Sequence, residues 1–160
     1  MSQRGVPGEH QPYPLVLDTS VAVKWHLEEE HSHEAARLLD AVGTEISELL
    51  APSTLQPEFF NTLWQRHRRG ELEPDEVRQV WSDFLAGEPV TLYDPADLMP
   101  RATELVLDTG VIIYDALFLV LAEYAGTVMV TADDKLLRTL EGTGYADLAR
   151  SLAEIDSLLH

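Results

Sequence analysis

Cysteine is absent from the 160 residues, which removes disulfide frameworks, thiolate zinc sites and thiol nucleophiles, and fits a reducing compartment. Any metal must therefore be held by oxygen or imidazole. Cationic side chains are scarce: 11 Lys and Arg stand against 28 Asp and Glu, for a net charge of −17. Nonspecific grip on a phosphate backbone comes from cations, so this balance argues against one. Surplus acid can instead serve solubility, high-salt adaptation, a basic partner or a carboxylate metal cluster. Long apolar runs are also missing. The longest, Ala116 to Ala122, is stopped by Glu123, far short of the roughly 20 residues a membrane helix needs. There is no Gly-rich phosphate loop and no G-x-S-x-G elbow, so P-loop nucleotide hydrolysis and serine acyl transfer have no support. His26, His31 and His33 lie in a Glu-rich turn without a zinc-ligand spacing, which reads as a solvated turn.

What is present suffices for one globular domain. Hydrophobic residues make up 45% of the chain, and a chain of this length buries roughly two thirds of its unfolded surface. Residues 1–13 are polar with Gly and Pro, without the apolar core of a signal peptide, and read as a disordered leader before a domain over 14–160. These features together predict a cytoplasmic protein with no membrane segment.

Leu15-Val16-Leu17 ends at Asp18, and Thr19-Ser20 then opens a helix carrying Val21, Ala22 and Trp25. Ser32 is placed to cap the next helix, which Gly43 ends. Leu49 to Ala51 suggests a strand. Glu58 to Arg69 has a helical pattern with Pro57 near its first turn and Gly70 past its end. Further helices are expected from Glu73 through Phe84, over Ala96 to Leu107, over Ala116 to Ala125 and over Lys135 to Leu140, with strands at Val90 to Tyr93 and Thr127 to Thr131. The tail from Tyr145 reads equally as strand or helix. Short β-branched strands alternating with helices predict an α/β/α sandwich around a parallel sheet, whose ligand site lies beyond the carboxyl ends of the strands.

Asp18 and Asp133 both follow strands and precede helices, so each could simply cap a helix. Two such acids in one parallel sheet nevertheless converge on one edge, which is what metal binding requires. Asp115 lies between Val111-Ile112-Ile113-Tyr114 and an apolar helix, where an ionised acid needs a partner. Glu58 shares a helical polar face with Asn61, Thr62, Gln65 and Arg69. Arg66, Arg68 and Arg69 form the one dense basic cluster. It either complements the helix dipole or clamps substrate phosphate with guanidinium forks. Carboxylates about 4 Å apart repel by roughly 4 kcal/mol at an effective dielectric near 20, so such a cluster holds protons or a divalent cation. All-oxygen ligation favours Mg²⁺ or Mn²⁺.

Four segments together resemble the PIN-domain family, in particular the VapC-type toxins of toxin–antitoxin pairs. They are Leu15-Val16-Leu17-Asp18-Thr19-Ser20-Val21 with Trp25, Pro57-Glu58 through Asn61-Thr62-Leu63, Tyr114-Asp115-Ala116-Leu117, and Val130-Thr131-Ala132-Asp133 with Lys135-Leu136. The resemblance spans about residues 14 to 155, and its weight lies in the order and spacing of the motifs. It implies a metal-dependent endoribonuclease acting as the toxin of a type II pair, with an RNA substrate, a cognate antitoxin and a homodimer. It implies Asp18, Glu58, Asp115 and Asp133 as the acidic quartet, with Asp18, Asp115 and Asp133 on Mg²⁺ or Mn²⁺, and Thr19, Ser20, Asn61 and Thr131 supporting them. Arg66, Arg68 and Arg69 become candidates for substrate phosphate. The chain departs from the family pattern at Ile112, where a hydroxyl residue is common, and at Asp134, which duplicates the fourth acid and leaves the inner ligand open between Asp133 and Asp134. Asp133 is preferred because it directly follows Thr131-Ala132. Two alternatives remain: a catalytically silent PIN-like binding module, favoured by the −17 charge, and a DNA nuclease with the same metal chemistry.

Overall fold

In the computed structural model, residues 11–87 and 89–159 are described. The expected leader lies outside them except for its last residues, because the first strand already begins at Tyr13. Five strands form one sheet: β1 (Tyr13–Leu17), β2 (Ile46–Pro52), β3 (Val90–Tyr93), β4 (Met129–Thr131) and β5 (Ala149–Ser151). Their order is β3-β2-β1-β4-β5 and every pairing is parallel. The chain builds outward from β1 to β2 and β3, then returns to β1's other side to lay down β4 and β5. The crevice between β1 and β4 is thus the point where strand order reverses, which is where open parallel sheets bind ligands.

Among the described residues seven α-helices connect and flank the strands: α1 (Thr19–Ala22), α2 (Ser32–Asp40), α3 (Leu55–Arg68), α4 (Pro74–Gly87), α5 (Met99–Thr109), α6 (Ile113–Ala125) and α7 (Asp134–Leu140). The burial of β1 shows why the sheet needs both faces covered: Leu15, Val16 and Leu17 are all 0% exposed, with no alternation. α6 is the central helix, with every residue from Ala116 to Ala122 buried. Among the described residues no single helix is long and apolar enough to cross a membrane; α5 and α6 together approach that length but bend by 115° at their junction.

Local chemistry corrects several expected boundaries. α6 starts at Ile113, three residues before its apolar run, so Asp115 lies inside its first turn. α3 starts at Leu55, ahead of Pro57. The segment expected as one helix from Ala96 is split into a short 3-10 turn, Pro95–Asp97, capped by Asp94, and α5. Ser32 does not cap α2: its hydroxyl accepts from Glu29 N and donates to Leu27 O, stapling the preceding turn, while His31 takes the cap position at φ 65°. The ambiguous tail is both things at once, β5 followed by the 3-10 segment Leu152–Ser157.

Candidate active site

Asp18 leaves the end of β1 at the crevice and is 7% exposed. Its N–H donates to Val130 O of β4 at 3.2 Å, which fixes the residue against the neighbouring strand. One carboxylate oxygen, Oδ1, accepts from Ser20 N at 3.0 Å and from the Ser20 hydroxyl; the other, Oδ2, accepts from the Thr131 hydroxyl. Thr131, fully buried, also accepts from Asp133 N at 3.0 Å, and the Ser20 oxygen accepts from Ala132 N at 2.9 Å. Ser20 and Thr131 therefore lock the two strand ends together with Asp18 between them.

The cap and the site turn out to be compatible roles. Asp18 caps α1, and Asp133 caps α7 through Oδ1, which accepts from Leu136 N at 3.1 Å. Asp133 lines a groove together with Asp115, whereas Asp134 begins α7 and is not part of that lining. Asp115 caps nothing, since the N-cap position of α6 is Ile112 and the Asp115 carboxylate takes no hydrogen bond among the described residues. Glu58 comes from the first turn of α3, and its Oε2 is buried without a partner, as are the hydroxyls of Thr19 and Thr54.

The electrostatics reflect acids crowded in low dielectric. Burial pushes Asp18 up to about 6, with the Asp133 charge adding and the Ser20 and Thr131 hydrogen bonds opposing. Burial pushes Glu58 to about 7, raised further by the charges of Asp115 and Asp18; the nearby Thr54 hydroxyl pulls it down without reaching hydrogen-bond geometry. Asp115 rises to about 6 from burial and from the charges of Asp18 and Asp133. Each of these three acids thus feels at least one other member of the quartet. Two open grooves meet at the exposed Ile112. One of about 470 Å³ is lined by Thr19, Glu58, Asn61, Thr62 and Tyr114. The other, of about 270 Å³, is lined by Gly110, Asp115, Asp133, Lys135 and Thr139.

The donor set suits a hard divalent cation: carboxylates only, raised by one another's charge, with an orphaned buried oxygen on Glu58. As the side chains stand, no three His, Asp or Glu among the described residues converge tightly enough to hold an ion.

The arginine cluster is not brought to the acids. Arg66 lies two turns along α3 from Glu58, and Arg69 just past its end, about 12 to 16 Å away at 1.5 Å per residue. Arg66 is ion-paired with Glu29 and Glu71, and Arg69 with Glu71 at 3.2 Å. The cation that does line an acid groove is Lys135. In the sequence it has a place in the fourth motif but no role of its own, because a single Lys on an amphipathic helix carries no functional signal until the groove is seen. The partnerless Thr54 beside Glu58 was missed for the same reason.

Known proteins resemble this chain in sequence and in fold. The PIN domain family profile matches residues 15–141. Ribonuclease VapC3 of Pyrobaculum aerophilum is 32% identical over 126 residues, which cover 76% of this chain and 91% of that protein. Among solved structures, PAE2754 from Pyrobaculum aerophilum superposes with a TM-score of 0.57 at 21% identity, covering 91% of this chain and 95% of that one. A Mycobacterium tuberculosis structure, described as VapC20, a sarcin-ricin loop cleaving toxin, gives 0.54 at 16% identity over 73% and 86% of the two chains. A toxin–antitoxin complex from Klebsiella pneumoniae gives 0.52 at 13% identity over 86% and 97%. At these identities the solved structures speak for the fold alone. The profile match across most of the chain, together with the VapC3 relative, shows that this protein belongs to the PIN-domain family.

Proposed function

We propose that this chain is a metal-dependent endoribonuclease, the cytoplasmic toxin of a type II toxin–antitoxin pair. The observation that carries the reading is that Asp18, Glu58 and Asp115, from three different elements beside the crevice where strand order reverses, are raised by burial and by the charges of neighbouring acids, Asp133 among those charges. The ribonuclease name of the 32% identical relative supports the reaction, and the toxin–antitoxin neighbour supports a protein partner.

Asp18, Asp115 and Asp133 are the metal ligands in this reading, and Mg²⁺ or Mn²⁺ suits their hard oxygens. A bound divalent cation supplies Lewis-acid stabilisation of charge on the phosphate oxygens. Ser20 and Thr131 hold Asp18 so that its carboxylate keeps one orientation, and Thr19 and Asn61 line the groove beside Glu58. Glu58, raised to about 7, orients the attacking water and takes its proton. In-line displacement at phosphorus then leaves 5′-phosphate and 3′-hydroxyl ends. Of Arg66, Arg68 and Arg69, Arg68 has no ion pair among the described residues and contacts a phosphate further along the strand than the scissile one. The chain acts as a homodimer, and a basic antitoxin segment covers the acids.

The test is cleavage of a structured RNA pool by purified protein with Mn²⁺ or Mg²⁺, beside EDTA and Asp18→Asn controls. Cleavage lost in both controls is the expected result. A second reading, a silent binding module, is favoured by the −17 charge and by the absence of a tight three-ligand cluster among the described residues. It prevails if metal-supplied wild-type protein cuts no RNA, or if folded Asp18→Asn cuts as fast as wild type.

A further inference from the structure

Cations are rare in this chain, and most are already committed. Among the described residues, Lys24 pairs with Glu29, Arg37 with Asp156, Arg66 with Glu29 and Glu71, Arg69 with Glu71, Arg78 with Asp75 and Arg101 with Glu123. Arg150 spends its guanidinium on the carbonyls of Asp147 and Ala149. Only Arg68, Lys135 and Arg138 make neither an ion pair nor a side-chain hydrogen bond among the described residues, and of these Lys135 lines a groove that also holds quartet acids.

Its position is informative in two ways. Lys135 lies two residues past Asp133, on the wall of the groove of about 270 Å³ whose opposite side is formed by Gly110, Val111 and Asp115. Its ammonium nevertheless makes no ion pair with Asp115 or Asp133, although both are carboxylates of the same groove. A solvated lysine beside a carboxylate cluster gains little by standing off it, and a lysine that neutralised the acids would compete with a cation for them. A polyanion crossing the groove resolves both points, because its phosphate oxygens need a cation outside the acid cluster while the acids serve the reacting phosphate.

Resting on the nuclease reading, we infer that Lys135 binds the backbone phosphate next to the scissile one, so that the single strand runs from the Glu58–Asn61 groove, over Ile112, to α7. The contact is to phosphate and carries no base preference. Lysine suits it as a compact point charge on a long exposed stem. The arginine cluster on α3 cannot make this contact, lying about 12 to 16 Å along the helix from Glu58.

The experiment has two arms. The first is cleavage by wild-type protein, whose failure sinks the nuclease reading itself. The second measures equilibrium binding of fluorescein-labelled single-stranded RNA to a cleavage-silent Asp115→Asn chain, with and without Lys135→Gln, from 50 to 300 mM salt. Lys135→Gln is expected to weaken binding about five- to tenfold for two unrelated sequences alike. It should also lower the slope of log affinity against log salt by about 0.7, one phosphate contact on a single strand. Lys135→Arg should restore both. In the cleaving protein the same change should raise KM with kcat within about twofold. Equal binding and equal salt slope for Asp115→Asn with and without Lys135→Gln, or no measurable binding by either, would overturn the assignment even where wild type cleaves.

Discussion

At the residue scale the decisive property is that three of the four candidate acids, Asp18, Glu58 and Asp115, are held in low dielectric. Asp18, Asp115 and Glu58 stand at about 6, 6 and 7, above ordinary values of 3.8, 3.8 and 4.5. A raised acid binds more protons folded than unfolded, so its contribution to stability is present below the unfolded value and lost as pH rises through the folded one. The metal-free protein should therefore melt at a lower temperature at pH 7.5 than at pH 5, measured by thermal denaturation in EDTA. Glu58→Gln should be more stable than wild type at pH 7.5 and lose that advantage by pH 5. If Glu58→Gln instead melts lower than wild type at pH 7.5, the buried carboxylate is not the burden described. Activity runs the other way, falling as pH drops from 7.5 to 5.5 because protons compete for the ligand oxygens. Thr131 is a second test at this scale. Thr131→Val keeps the shape but strips a donor from Asp18 Oδ2 and an acceptor from Asp133 N, which should cost about 1–3 kcal/mol in urea unfolding. A loss well under half a kcal/mol would show that water replaces the hydroxyl.

At the scale of elements, the site depends on how strands end and helices begin. β1 and β4 finish side by side, so their following residues, Asp18 and Asp133, meet without any loop having to be shaped for it. Asp115 depends on the junction between α5 and α6. Gly110 ends α5 at φ 77°, a left-handed conformation that lets the chain turn sharply into α6. No atom would obstruct a Cβ there, so the penalty for substitution is conformational. Gly110→Asn should be mild and Gly110→Val should cost about 1–2 kcal/mol, with lost cleavage because Asp115 shifts. The opposite order in chemical denaturation would place the cause in packing. The motif around Asp18 was readable because strand, acid and helix are local patterns. The start of α6 was not, because Ile113 and Tyr114 look like strand residues, and only burial against the sheet makes them the first turn of a helix.

Across the whole molecule, charge sets the terms of recognition. A surface of −17 repels a polyanion, so substrate must be gripped at a few local points. The same charge attracts a basic partner and steers it at long range. Association with a basic antitoxin segment is accordingly expected to slow by about tenfold or more between 50 and 500 mM salt, followed by stopped-flow fluorescence. A rate indifferent to salt would mean that the partner is recognised through apolar contacts instead.

The sequence by itself determined the fold class and marked the candidate acids, because both are written in local patterns: the period of apolar residues, an acid after each of two strands, and motifs in a fixed order. It preferred Asp133 to Asp134 as the inner ligand; that choice stays a proposal, and the place of Asp133 on the groove that Asp115 also lines supports it. Only the tertiary structure decided which cations are free and where they stand. Sequence put three arginines on the same helix as Glu58, but ion pairs with Glu29 and Glu71, distant in the chain or around a turn, claim two of them. It gave Lys135 a place in a motif but no role, and its position on a groove appears only when the α5–α6 junction, α6 and α7 come together. Charge pairing and desolvation depend on distances between residues far apart in sequence, and those distances exist only once the chain is folded.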